Sequence, residues 1–155
     1  HIDYGHWYDM QKLTVKNVAA CNYVSALQPT AGSFHIEPRL QRHFTTFAVN
    51  MPSASSLMTI YETFLAGHLT SQGFNTTVSA VTSSLIKAAL SVHKEVTENF
   101  RKTAANFHYE FNIRHIANVF QGLLVSIPGN FKEMDKFVYL WMHESERVYG
   151  DRLVN

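Results

Sequence analysis

The sequence predicts an α/β portion followed by an all-helical bundle, with the change near Pro52. Three observations carry this. Before Pro52, apolar residues fall into short β-prone or near-continuous runs. After it they recur every three or four residues over four long segments. Clusters of Gly, Pro, Asn and Ser separate the runs.

Along the first portion, "GHWYDMQKLTV" places two short β-prone pieces around the polar centre Asp9 to Lys12, the pattern of a hairpin. "VAACNYVSAL", Val18 to Leu27, is small, apolar and nearly unbroken, which suits a parallel strand buried on both faces. It ends at Gln28-Pro29, and "PTAGSF" is loop chemistry. Pro38 is placed to open a short helix over Arg39 to His43. "FTTFAVNMP", Phe44 to Pro52, reads as a second strand stopped by proline. Two buried parallel strands require neighbours and covering helices not found in this sequence, and it begins at His1 rather than Met, so an excerpt of a larger fold is expected.

In the second portion, Leu57, Ile60, Tyr61, Phe64 and Leu65 mark a first helix, with Gly73 at its exit. Val78, Val81, Leu85, Ala88, Val92, Val96 and Phe100 mark a long second one. Asn112 is placed to cap a third, bearing Ile113, Ile116, Ala117, Phe120, Leu123 and Leu124. Pro128 and Gly129 break it. Asn130 with Glu133 then has the spacing of a capping box for a fourth helix. Phe131, Met134, Phe137, Val138, Trp141 and Val148 would line that helix, which should end near Gly150.

Composition narrows the function. The 155 residues are 46% hydrophobic, enough for a core. The formal charge is +1 with no block of one sign, so neither nucleic acid nor a membrane surface is indicated as a partner. No apolar stretch is long enough to span a bilayer, and no signal-peptide pattern occurs. The single cysteine, Cys21, excludes an intrachain disulfide, and its apolar setting predicts a buried thiol. The nine histidines are scattered, and His108 and His115 lack ligand spacing within one helix, so no metal site is expected. GxxxxGK followed by Ser or Thr does not occur.

Three places could still carry chemistry. Gln28 would stand at the carboxyl end of a buried strand, where α/β sheets bind ligands, and its amide could orient a water or a phosphate oxygen. The more frequent use of such a residue is to satisfy loop backbone groups. Arg39 and Arg42 are three apart and share a helical face. Such guanidinium groups either neutralise charge on a phosphoryl group or form surface ion pairs. Arg114 falls in the first turn of a predicted helix, where a cation opposes the macrodipole. That misfit points to an anionic partner.

The strings "DYGHWYDMQKLTVKNV", "PTAGSFHIEPRLQRHF", "HYEFNIRHIANVFQGLL" and "WMHESERVYGDRLV" together resemble the third AAA+ module of an axonemal dynein heavy chain, closest to the outer-arm beta type. The resemblance covers essentially the whole chain. It implies the end of an AAA+ αβα large subdomain over 1–52 and the AAA+ small helical subdomain over 53–155. By the same resemblance Gln28 takes the sensor-1 position. Arg42 takes the arginine-finger position, acting in trans on the neighbouring module, with Arg39 as the alternative. Arg114 takes the sensor-2 position. Two departures stand out: Gln28 and His115 occupy positions where related chains usually carry Asn and Asp. Both weigh against efficient hydrolysis while leaving nucleotide binding open.

The resemblance further implies ATP or ADP with Mg²⁺ in the intact module, and none for the excerpt alone, which lacks Walker A and Walker B and is not expected to be active by itself. It implies neighbouring AAA+ modules as direct partners. Intermediate and light chains and microtubules would be partners of the whole motor, in the axoneme of a cilium or flagellum. Two alternatives belong to other classes: a structural AAA+ spacer without nucleotide turnover, and a helical adaptor that leaves the two strands unexplained.

Overall fold

A computed structural model describes residues 1–28 and 35–154. The chain divides into two compact units, His1–Asn50 and Met51–Asn155.

In the first unit, β1 (His6–Tyr8) and β2 (Val15–Asn17) pair antiparallel, with Trp7 opposite Lys16. Asp9 organises the turn between them. Its carboxylate accepts the Gln11 and Lys12 amides at 2.9 and 3.0 Å and meets Lys16 Nζ at 2.6 Å. The expected hairpin therefore forms, centred where the polar residues are. Pro38 opens α1 (Pro38–Gln41) as its sequence position suggests.

The two expected parallel strands do not form. Val18 to Leu27 and Phe44 to Pro52 are irregular, and most of their residues are exposed. A strand is stabilised by a ladder to a neighbour, and β1 and β2 are the only strands among the described residues. Cys21 is accordingly exposed rather than buried. Gln28 is exposed in the same irregular run, not at a strand end. The following "PTAGSF" lies outside the described residues.

The second unit is helical throughout. α2 (Ala54–Gln72) starts on Ser53, whose hydroxyl accepts the Ser56 amide, and stops at Gly73. Gly73 has φ +74°, the left-handed conformation that glycine supplies without a Cβ penalty. Asn75 caps α3 (Thr76–Asn99), and Asn112 caps α4 (Ile113–Leu123). α5 (Met134–Val148) is followed by a short 3-10 turn, η1 (Gly150–Arg152). The expected Asn130–Glu133 capping box is absent. Residues 128–130 form a turn, and α5 begins after Glu133, which makes no side-chain cap.

Helix faces deviate from the sequence pattern in one instructive way. The expected apolar set on α3 includes Val81, Ala88 and Val92. The buried set is Val78, Thr82, Leu85, Ile86, Ala89 and His93. Burial thus falls one position further on, at Thr82, Ala89 and His93, on the face that the neighbouring helices cover. On α2 the buried line is Leu57, Tyr61, Leu65 and Leu69, leaving Ile60 and Phe64 exposed.

These helices enclose two apolar clusters. The larger joins Leu65, Leu69 and Ile86 to Ile116, Phe120, Leu123 and Phe137, with Tyr61 stacked on Phe120 at 4.3 Å between ring centroids. The smaller gathers Val119, Val148 and Tyr149 beside Phe111 and Trp141. Leu69 is fully enclosed in the larger cluster, so Leu69→Ala should cost about 2–5 kcal/mol, read as a lowered denaturant midpoint for helix loss.

Candidate functional site: the N-terminal turn of α4 and the arginines of α1

Arg114 occupies the second residue of α4. Its amide is held by Asn112 Oδ1 at 3.0 Å. The first turn contains no acidic residue, and among the described residues the Arg114 guanidinium makes no ion pair. The nearby acid Glu110 is engaged by Lys102 at 3.3 Å. An exposed cation thus sits at the positive end of a capped helix, the arrangement that suits an anion.

His115, the next residue, has a role its sequence position did not suggest. Its imidazole is 7% exposed. Nδ1 lies 3.0 Å from the Asn112 amide and 3.2 Å from the Asn112 carbonyl. With the ring proton on Nε2, Nδ1 accepts the amide and completes a capping box. With the proton on Nδ1, the ring donates to the carbonyl and Nε2 accepts from the Arg152 guanidinium. Either tautomer ties the ring to the N-cap. The signal available in the sequence was the three-residue spacing from Asn112, but His is not the Glu or Gln expected there.

Around this turn the chain is tied together by aromatic and polar contacts. Phe111 and Tyr149 flank the His115 ring, and Tyr149 Oη lies 3.0 Å from His93 Nδ1. Tyr109 Oη accepts the Val154 amide at 2.8 Å, and a His108 ring nitrogen lies 3.1 Å from the Arg152 carbonyl. Burial pushes the His93 pKa down, helped by His115. Burial pushes the His115 pKa down as well, with Arg152 adding to the effect while Asn112 and Glu110 oppose it. Burial also pushes the Tyr149 hydroxyl far above its usual range.

In the first unit, Arg39 and Arg42 converge on one carboxylate. Asp3 accepts from Arg42 at 2.9 Å and meets His43 at 2.6 Å and Arg39 at 3.6 Å. Bonds from Arg42 and His43 lower the Asp3 pKa. The two arginines therefore share a face, as their spacing suggests, and that face is ion-paired. Gln28 makes no side-chain hydrogen bond among the described residues and does not join this cluster. Among the described residues no group of His, Cys, Asp and Glu is arranged to hold a metal ion, and no helix is long and apolar enough to cross a membrane.

Comparison with known proteins defines the class first. Residues 85–155 match the AAA+ lid domain, and residues 1–52 match the P-loop containing dynein motor region. The stretch from within α3 to the end of the chain is thus similar to a lid of the AAA+ type. The whole chain is 54% identical to the dynein alpha chain of the flagellar outer arm from Chlamydomonas reinhardtii. It is 48% identical to the ciliary dynein beta chain of Tripneustes gratilla and 49% identical to dynein axonemal heavy chain 11 of Sus scrofa, again over all 155 residues. The chain belongs to the axonemal dynein heavy chain family. It spans only 3–4% of the length of these relatives, among which a flagellar outer-arm alpha chain and a ciliary beta chain both stand.

The two lowered histidines set a pH dependence. A folded pKa below the ordinary 6.5 means that the unfolded chain takes up the proton first as pH falls. Their contribution to stability is therefore complete above 6.5 and is lost as pH drops from 6.5 through the lowered folded values. Helix melting followed by circular dichroism should show a midpoint that falls over this window, and a His93→Gln, His115→Gln double variant should flatten it.

Proposed function

We propose that this chain is part of the AAA+ ring of a ciliary or flagellar dynein, in the third module, where it contributes to a regulatory nucleotide site. The observation that supports this best is Arg114, an unpaired cation among the described residues at a capped helix start with no acid in its first turn. Guanidinium and helix terminus together suit the oxygens of a phosphate. Arg114 would take the sensor-2 role, binding nucleotide of its own module. Arg42 would act as an arginine finger on the adjacent module, with Arg39 as the alternative. Gln28 would take the sensor-1 role, its amide one methylene further from the backbone than the usual Asn, a displacement that weighs against efficient hydrolysis.

In this reading residues 1–52 close the AAA+ large subdomain and 53–155 form the small helical subdomain. ATP or ADP, when bound with Mg²⁺, supplies the phosphates that these cations contact. Among the described residues nothing is arranged to hold Mg²⁺, so no role for this chain is routed through the ion. The direct partners are neighbouring modules of the same heavy chain. Intermediate and light chains, microtubules and the axoneme belong to the whole motor, whose power stroke this module would regulate.

The Asp3 contact favours one other reading. A finger arginine paired with a carboxylate of its own unit is not free for a neighbour's phosphate, which fits a structural spacer module without turnover. The two readings differ upstream: a phosphate-binding loop followed by paired acids supports turnover, and their loss supports the spacer.

Arg114→Ala should reduce nucleotide occupancy at this module, whereas Arg42→Ala should alter the adjacent one. Lysine at either position should not restore the planar donor. Site-resolved occupancy in the intact ring measures both. Equal losses at both sites from either substitution would mean global destabilisation, and the separate roles would be wrong.

A further inference from the structure

We infer that His115 is a positioning residue for Arg114, and that Arg152 acts with it: the uncharged imidazole closes the first turn of α4 on Asn112 and ties that turn to η1. The inference rests on the reading of Arg114 as a phosphate contact. Its basis is a difference in restraint between neighbours. The Arg114 side chain is exposed and unpaired among the described residues, so it does not orient itself. Its backbone is held from both sides, by Asn112 Oδ1 on its own amide and by the His115 ring, whose Nδ1–H donates to the Asn112 carbonyl.

His115 is in turn held by what surrounds it. Phe111 and Tyr149 flank the ring, with centroids 5.6 and 6.4 Å away. Arg152 reaches its Nε2, and Arg152 is anchored through its own carbonyl to His108. The charged groups bearing on the ring are Arg152 and Glu110, with His93 and Tyr149 behind. Arginine has only donors, so this contact exists only while Nε2 keeps its lone pair. Protonating the second ring nitrogen would remove the acceptor and set two cations against each other.

A change in the segment that bears Arg152 therefore reaches Arg114 through one imidazole. The buried imidazole ties down this turn without bringing a permanent negative charge beside Arg114.

The test is a double-mutant cycle in the intact motor, reading adenosine diphosphate occupancy at this module over stepped concentrations. His115→Ala should weaken binding about five- to tenfold, the scale of one lost capping interaction. His115→Gln should restore most of it, because its side-chain amide N–H can donate to the Asn112 carbonyl as the ring does. Arg152→Ala, an exposed change that spares the core, should weaken binding about two- to threefold, the scale of a modest hydrogen bond. In an Arg114→Ala background neither alanine substitution should weaken binding further, since both act through Arg114. If the losses add in that background, or if both alanine variants bind like the parent while Arg114→Ala does not, the positioning role is overturned and the reading of Arg114 survives. If Arg114→Ala itself changes nothing, that reading falls and the inference with it. Should His115→Ala fail to fold, the Arg152→Ala arm of the cycle decides alone.

Discussion

A helix satisfies its own backbone, and a strand depends on a neighbour for it; most of this structure follows from that asymmetry. Four helices satisfy much of the second unit's backbone within themselves, so packing of their apolar faces is enough to define it. Among its described residues the first unit has only one strand pair, and Asp9 fixes it through short-range bonds to Gln11, Lys12 and Lys16. The remaining apolar runs, Val18 to Leu27 and Phe44 to Pro52, have the composition of strands and no ladder to join.

Within the helical unit the two apolar clusters divide the work. The larger one, around Leu69, Leu123 and Phe137, holds the four helices together and contains almost no polar group. The smaller one lies under the start of α4 and mixes Val119, Val148 and Phe111 with Tyr149, which reaches His93. His93 and Tyr149 are paired with each other there, whereas Trp141 Nε1 is buried without a partner, so the local arrangement is polar as well as apolar. The candidate phosphate contact stands above this second cluster. Its geometry is therefore set by hydrogen bonds that depend on protonation, rather than by apolar packing alone.

The arginines of the two units show two fates of one side chain. Arg42 and Arg39 share Asp3 at the surface, where an ion pair is worth little and exchanges easily. Arg114 stands at a helix start with no acid in the first turn. The Asp3 contact is local to the first unit and bears on whether Arg42 is free to act across a module boundary.

From the sequence alone one could read the hairpin, the helix opened by Pro38, the exit at Gly73, the cap at Asn112 and the existence of all four long helices. Each depends on residues a few positions apart, and local chemistry settles it. The resemblance in the long strings carried the family. Tertiary structure decided the rest. It placed the buried stripe of α3 on Thr82, Ala89 and His93 rather than on Val81, Ala88 and Val92, because the covered face of a long helix is decided by its neighbours. It left Cys21 and Gln28 in irregular chain, because apolar composition cannot supply a strand's partner. It also brought Arg152 to His115 across 37 residues of sequence, a contact for which no local pattern exists.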